Sequence, residues 1–250
     1  MNTNQTLETN LVPAHYAHLQ AEGFTPEQIY SLECDHGIES LTLGQALRQN
    51  FKVWDEENAK WASSSGLKFP FTKTFAQVRC DELIERKGKK VKYITPLKAK
   101  SEAMLPKGCR VITEGAKDAY AGSMHGSIPT GALAGVSHTR KALAEGCGLT
   151  ILFDSDGWHN PQVVYNLISS ACYCNGKIQL VPEIEGEPKG GLCEYFKAGH
   201  SADDYAELIA GAMRPEKFLW EWMQRWKDYS PSLRADCVQT TVRLGEWLAA

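Results

Sequence analysis

The sequence predicts an α/β protein in which a parallel sheet with flanking helices follows a small α+β module and precedes C-terminal helices. Between residues 109 and 200, short and almost wholly apolar runs alternate with helical stretches, as expected of strands buried on both faces. Between residues 67 and 96, polar and apolar residues alternate, which is typical of antiparallel strands. Beyond residue 200 the apolar residues recur at helical spacing, which predicts packed helices.

Residues 11–50 predict three helices. The first covers 15–22, and the second begins with Thr25 as its N-cap and Pro26 at the first helical position. The third begins at Thr42. In the following strand, over 74–81, the apolar side chains share one face and the polar ones the other; 91–94 returns beside it. This region is therefore predicted to be a helical and antiparallel module.

The segment 109–200 predicts alternating strands and helices around one parallel sheet. Strands are predicted over 109–113, 127–130, 149–153 and 177–181, and helices over 116–124, 138–146, 161–173 and from Leu192. A helix over 216–227 and a last helix opening at Ser230-Pro231 complete the prediction. The chain stops in mid-helix at Ala250, which indicates a domain that leads into a longer polypeptide.

Charge is distributed unevenly along the chain. Residues 66–110 hold twelve Lys or Arg against four acids, whereas the remainder holds 15 basic and 26 acidic residues. A basic segment in an acidic protein is typical of a nucleic-acid track, although part of it fits a solvated hairpin turn. The polar start, the lack of a long apolar run and eight cysteines without a CxxC pair favour a cytoplasmic protein with reduced thiols.

Two acidic motifs carry the strongest functional signal. Glu114 follows the predicted strand 109–113, and Asp154 and Asp156 follow the predicted strand 149–153. Because the carboxyl ends of parallel strands open into one crevice, these side chains are expected to converge on one site. A set of oxygen ligands without His or Cys suits Mg²⁺ or Mn²⁺, and Asp118 is a fourth candidate ligand. The motifs therefore predict metal-dependent phosphate chemistry, with Glu114 as a further ligand or a general base.

Four other residues are candidates for binding phosphate or nucleic acid. Gly115 permits close approach of the backbone, and the helix after it would aim its N-terminus at a phosphate. Lys189, beside two glycines, could hold a phosphate or belong to a solvated turn. Arg79 and Lys92 lie on predicted strands of the basic segment; ordinary surface charge is the alternative for both.

The pattern strand–Glu-Gly-x-x-Asp at 111–118, followed by strand–Asp-x-Asp at 149–156, resembles the Toprim domain. Bacterial-type primases, topoisomerases, small nucleases and recombination-repair proteins share this domain. The match to primases extends to Lys92-Tyr-Ile-Thr-Pro96 before the sheet and to Ile128-Pro-Thr-Gly131 within it. Similar modules occur in plasmid and phage replication proteins, where a helicase domain often follows.

The resemblance implies three domains: an N-terminal basic module over 1–105, a Toprim-like domain over 106–212 and C-terminal helices over 213–250. It implies primase-type nucleotidyl transfer on single-stranded DNA with nucleoside triphosphates, in the replication of a plasmid or phage-like element. A helicase domain or protein would be the partner. Glu114, Asp154 and Asp156 would be catalytic and, with Asp118, would hold the metal.

Two alternatives to primase activity remain open at this stage. A Toprim nuclease or nickase would use the same acids on DNA. A non-catalytic nucleic-acid-binding domain of a replication initiator would keep the fold without the chemistry. The stretch that corresponds to the third acidic motif of primases, 188–196, contains one carboxylate, Glu194, so the resemblance does not extend to a full set of metal ligands.

Overall fold

The computed structural model describes residues 8–56, 58–135, 142–187 and 189–248. They divide into two compact units, the first ending at Glu102 and the second beginning at Ala103. Within these residues, every helix is too short or too polar to cross a membrane.

The second and third helices of the first unit begin where the sequence predicts, whereas the first begins at Pro13, two residues before its predicted start. They are α1 (Pro13–Ala21), α2 (Pro26–Cys34) and α3 (Leu43–Arg48). Thr25 and Thr42 are the N-caps of α2 and α3, and both form capping boxes with the glutamine three residues later. Each cap satisfies backbone donors that the first helical turn leaves unpaired.

The first unit contains two antiparallel sheets. Its strands are β1 (Glu39–Leu41), β2 (Val53–Asp55), β3 (Lys60–Ala62), β4 (Gly66–Pro70), β5 (Ala76–Arg86) and β6 (Lys89–Ile94). One sheet has the order β1-β4-β5-β6, and β2 pairs with β3 as a separate hairpin. The predicted alternation in β5 is confirmed, since Val78 and Cys80 are buried while Arg79 is partly exposed. The hairpin formed by β2 and β3 was not predicted.

The second unit contains the predicted parallel sheet. Its strands are β7 (Val111–Thr113), β8 (Thr130–Ala132), β9 (Thr150–Phe153) and β10 (Lys177–Leu180), in the order β10-β9-β7-β8. All three pairings are parallel. The predicted strand at 127–130 was placed too early: Ser127 has a φ of 55°, and Pro129 has no N–H to donate, so pairing begins at Thr130.

Helices cover the parallel sheet on both faces and continue beyond it. They are α4 (Ala116–Met124), α5 (Pro161–Cys174), α6 (Leu192–Lys197), α7 (Ala202–Ala210), α8 (Pro215–Gln224) and α9 (Pro231–Leu248), with short 3₁₀ helices at Ser155–His159 and Arg225–Asp228. Residues 138–141 of the predicted helix over 138–146 lie outside the described residues, and of the remaining five only Ala142 is helical. Both α8 and α9 pack against α5, and Trp222, Cys237 and Leu244 are fully buried in the core of the parallel sheet.

Candidate functional site

The parallel sheet has a topological switch point between β7 and β9, where the order in which strands are added to the sheet reverses. From β7 the chain continues to β8 on one side, and it later returns to β9 on the other side of β7. At such a point the connections leave in opposite directions, and a crevice forms at the carboxyl ends of the two strands. Glu114 directly follows β7 and Asp154 directly follows β9, so both acids lie at this crevice.

A glycine loop before α6 brings the acids of three segments together. A Cβ atom added to Gly191 would lie 2.6 Å from Asp118 Oδ1 and 3.1 Å from Asp154 Oδ1. The Cys193 backbone N–H donates to Asp118 Oδ1 at 3.1 Å, and the Gly191 N–H donates to Glu194 Oε2 at 3.0 Å. The side chains of Asp118 and Asp154 therefore both lie against the backbone of Gly191. Their oxygens leave no room for a side chain at this position, so glycine is required there.

Ser155 fastens the same loop to the Asp-Ser-Asp segment. Its backbone N–H donates to the Gly190 carbonyl at 3.0 Å, and its hydroxyl accepts from the Gly190 N–H at 3.0 Å. Ser155 is only 2% exposed, so this reciprocal pair is shielded from water. This role of Ser155 was not predicted, although the adjacent glycines before Leu192 are a sequence signal of a close backbone approach.

Burial and mutual repulsion control the protonation of the acids. Burial, followed by the nearby charges of Asp118 and Glu114, raises the pKa of Asp154 to about 8. Burial, followed by the charges of Asp156 and Asp118, raises the pKa of Glu114 to about 7. The crevice thus concentrates more negative charge than its surroundings neutralise, which is the electrostatic condition that favours a bound cation.

Lys189 is a cation that pairs with one of these acids. Its Nζ lies 2.9 Å from Asp156 Oδ2, and this contact raises the pKa of the ammonium group. The Lys189 side chain is 78% exposed, so it can leave Asp156 without breaking buried contacts. A divalent cation at Asp156 would compete with this ion pair and free Lys189 to meet a phosphate.

The donor set fits a hydrated divalent cation. Glu114, Asp118, Asp154 and Asp156 offer only oxygen ligands, which Mg²⁺ prefers over nitrogen or sulfur. In the part of the chain that the structure describes, no three His, Cys, Asp or Glu side chains lie together closely enough to hold a metal ion. An open arrangement still suits Mg²⁺, since this ion keeps several waters and is commonly held by one or two carboxylates.

The residues around Gly115 leave room at the start of α4. Gly115 is the N-cap of α4, with extended backbone at φ −134°. A Cβ atom at this position would meet no atom within 4 Å, so the space in front of the helix is open. The N-terminus of a helix favours an anion, so a phosphate in this space would be stabilised.

The 3₁₀ helix that carries Asp156 is fastened to the C-terminal helices through Trp158. The Trp158 carbonyl accepts a hydrogen bond from Trp222 Nε1 at 3.0 Å and another from the Tyr229 hydroxyl at 2.6 Å. The Trp158 ring stacks on Phe218 with centroids 4.7 Å apart, and Arg225 lies 4.2 Å from its centroid on a face of the ring. These contacts, which sequence analysis did not predict, position the segment after β9.

A cavity of about 430 Å³ opens beside Asp156. Its lining also includes Ser155, His159, Ile184 and Glu187. The volume lies in the range that holds a small molecule of nucleotide size. The cavity is thus an available space next to the acids, at the carboxyl side of the parallel sheet.

Arg79 and Lys92 lie on adjacent strands of the first unit but on opposite faces. Arg79 in β5 is directly opposite Tyr93 in β6, and side chains of paired residues share a face. Lys92 precedes Tyr93 and therefore lies on the other face, where it is exposed. A nucleic acid that follows one face of this sheet would meet one of these two residues.

The chain resembles solved primase structures over nearly its whole length. No protein-family model and no curated protein sequence matches it. The E. coli primase catalytic core is 14% identical, with a TM-score of 0.55 over 97% of this chain and 87% of that one. A Pseudomonas aeruginosa DNA primase domain is 15% identical, with a TM-score of 0.53 over 95% and 89% of the two chains. A DnaG primase catalytic domain bound to single-stranded DNA is 13% identical, with a TM-score of 0.53 over 97% and 88%.

These comparisons concern the fold, because the sequence identities are low. The parallel sheet β10-β9-β7-β8 and its flanking helices match the Toprim-type fold of the primase catalytic core. The predicted fold class is therefore confirmed. The chain has the fold of the catalytic domains of bacterial primases.

Proposed function

We propose that this protein is a primase-type nucleotidyltransferase that acts on single-stranded DNA with nucleoside triphosphates. The observation that carries the proposal is the cluster of Glu114, Asp154 and Asp156 at the switch point of a primase fold. Fold alone does not define an activity, so the argument depends on these acids and their electrostatics. Single-stranded DNA as template is supported by the bound strand in one of the similar primase structures.

The acids have separate roles in the proposed reaction. Glu114, Asp154 and Asp156 would hold Mg²⁺ or Mn²⁺, with Asp118 supporting the set from across Gly191. When bound, the cation would supply charge neutralisation at the attacking and leaving oxygens of phosphoryl transfer. As an alternative to ligating the cation, Glu114, whose pKa burial raises to about 7 in the metal-free protein, would take a proton from the 3′-hydroxyl near neutral pH.

The basic and backbone groups would position the triphosphate. Lys189 would exchange its contact with Asp156 for a phosphate oxygen once a cation neutralises that carboxylate. The open space before Gly115 would admit a phosphate at the N-terminus of α4. In the first unit, Arg79 or Lys92 would contact the template strand.

The biological setting of the proposal is DNA replication of a plasmid or phage-like element in the cytoplasm, with a helicase domain or protein as partner. It rests on the sequence resemblance to replication modules of that kind. The Glu-Gly-x-x-Asp and Asp-x-Asp motifs carry this resemblance.

An extension assay tests the activity. Purified protein, single-stranded DNA, labelled nucleoside triphosphates and Mg²⁺ should give products that disappear with EDTA and in Asp154→Asn and Asp156→Asn. Asp203→Asn, at an exposed position in α7, is the matched control and should retain activity. The expected loss for each site variant is at least about 100-fold, since a ligand to the catalytic cation is removed.

The same variants separate the alternatives. Shortened DNA in the absence of nucleotides, lost in Asp154→Asn, would replace the proposal with a nuclease or nickase. DNA binding that persists in EDTA and in both variants, without extension or cleavage, would replace it with a non-catalytic binding domain.

A further inference from the structure

Two exposed tryptophans lie side by side on the β2–β3 hairpin of the first unit. Trp54 in β2 is directly opposite Trp61 in β3, and their ring centroids are 5.2 Å apart in an edge-to-face arrangement. Trp54 is 40% exposed and Trp61 is 45% exposed. Two indole rings thus form one adjoining aromatic surface in contact with water, and a contiguous exposed patch of this kind is more informative than a single exposed ring.

One face of the β2–β3 hairpin packs against the core of the first unit, and the two tryptophans lie on the opposite face. Val53 and Ala62, the pair adjacent to the tryptophans, pack against the core of the first unit, and the Ser63 hydroxyl donates to the Phe51 carbonyl at 2.6 Å. Since side chains alternate along a strand, this docking directs Trp54 and Trp61 away from the core. The aromatic surface is therefore presented by an anchored element.

Cationic groups border the aromatic surface. Lys52 Nζ lies 5.1 Å from the centroid of the Trp61 ring. Lys87 Nζ lies 3.3 Å from Glu56 Oε1, an ion pair that joins the turn of the β2–β3 hairpin to the turn between β5 and β6. That second turn, 86–90, contains four basic residues around Gly88 and no acid. The hairpin also carries the acids Asp55 and Glu56, so phosphates beside the tryptophans would meet positive charge at Lys52 and at the turn 86–90.

We propose that Trp54 and Trp61 form a stacking platform for unpaired bases of single-stranded DNA, with Lys52 and the turn 86–90 holding the phosphates. Aromatic side chains within a basic surface are the combination that single-strand binding proteins use, because every base has a face that stacks. A cross-strand tryptophan pair also stabilises a hairpin by itself. Stabilisation of the hairpin requires no basic residues around the tryptophans. A purely structural tryptophan pair would also contribute equally to the binding of normal DNA and of DNA that lacks bases.

Binding measurements on the intact chain test the platform. They use fluorescein-labelled oligothymidine and an abasic strand of the same length, in EDTA and without nucleotides, so the result does not depend on the acids of the second unit. Trp54→Leu/Trp61→Leu should weaken oligothymidine binding by about tenfold for each stacked base and leave abasic binding unchanged. Trp220→Leu, which removes a 58%-exposed tryptophan of α8, is the matched control and should bind as the wild type does.

A crosslinking measurement covers the case in which the double variant loses its hairpin. An oligonucleotide with 5-iododeoxyuridine, irradiated on wild-type protein, should attach to Trp54 or Trp61, as identified by mass spectrometry of the peptides. Crosslinks confined to other residues would overturn the proposal. A folded double variant that binds oligothymidine as tightly as the wild type would overturn it as well, whether or not the chain extends primers.

Discussion

Gly191→Ala tests whether the glycine loop sets the geometry of the acid site. The backbone of Gly191 is extended, with φ −98° and ψ −166°, so alanine fits the backbone without strain. The added methyl group is the whole perturbation. It would lie 2.6 Å from Asp118 Oδ1 and 3.1 Å from Asp154 Oδ1, whereas ordinary contact begins at 3.4 Å.

The size of the effect follows from these distances. The Asp118 oxygen must retreat by about 0.8 Å to relieve the contact, and the hydrogen bond from the Cys193 N–H opposes that movement. Overpacking of this kind costs about 1–3 kcal/mol of folding stability. Displacement of a group that supports the metal ligands should weaken Mn²⁺ or Mg²⁺ binding by about 10–100-fold.

Titration calorimetry with Mn²⁺, at pH 8 and without nucleotide, measures the effect on the metal site. Gly115→Ala is the matched control, since Gly115 is also an extended N-cap but its added methyl group meets no atom within 4 Å. This control should bind Mn²⁺ as the wild type does. In the extension assay, the same variant tests the predicted phosphate approach, and its apparent KM for nucleotide should rise.

Wild-type Mn²⁺ affinity in a folded Gly191→Ala protein would refute the reasoning. It would mean that Asp118 and Asp154 do not act on the metal through this loop. Equal losses in Gly115→Ala and Gly191→Ala would also refute it, because the crowded and the open position would then be equivalent.

Three further variants test the electrostatics and the packing. Burial raises the pKa of Asp154 to about 8, so the folded, metal-free protein loses stability as the pH rises from about 4 toward 8. In EDTA at pH 8, Asp154→Asn should therefore raise the Tm by roughly 3–6 °C. Near pH 4, calorimetry should show little change in the Tm. Tyr229→Phe removes the hydroxyl donor to Trp158 and should cost about 1 kcal/mol in urea unfolding, whereas unchanged stability would contradict the anchoring role. His15→Ala removes a buried imidazole that bonds Ser40 and Asp81, and it should lower stability by about 2–3 kcal/mol and speed hydrogen exchange in the first unit.

The elements that sequence predicted best have strong local signals. The strand before Asp154 is apolar except for Thr150, and the structure buries all of β9. The second helix carries both a capping threonine and a proline at its start, and the structure confirms both positions. In each case a few neighbouring residues determine the element, so a pattern in the chain is sufficient.

The missed elements depend on contacts between distant residues. β1, β2 and β3 have three residues each, too few for a period of two to be recognised. The hairpin is defined by the pairing of Trp54 with Trp61 and by the docking of Val53, neither of which is visible locally. The exposed tryptophans were consequently not identified as candidate binding residues.

The acid site shows the same division. Glu114, Asp154 and Asp156 could be selected because each ends or follows an apolar strand, and the switch between β7 and β9 accounts for their shared crevice. The position of the loop at Gly191 relative to the acids could not be predicted. Its hydrogen bonds join residues that are far apart in the sequence: Gly190 and Ser155 are separated by 35 residues, and Cys193 and Asp118 by 75. Spacing in sequence contains no information about such tertiary bonds.

The two hydrogen bonds to the Trp158 carbonyl also affect how the molecule opens. Trp222 and Tyr229 come from the C-terminal part of the chain, and both donate to a carbonyl two residues beyond Asp156. A transient detachment of α8 would remove the Trp222 donor from that half-buried acceptor and loosen the 3₁₀ helix at the end of β9. The amides of the Asp-Ser-Asp segment should therefore exchange with solvent as one cooperative group with those of α8, and a protease that cleaves near Tyr229 would loosen the acid site from a distance.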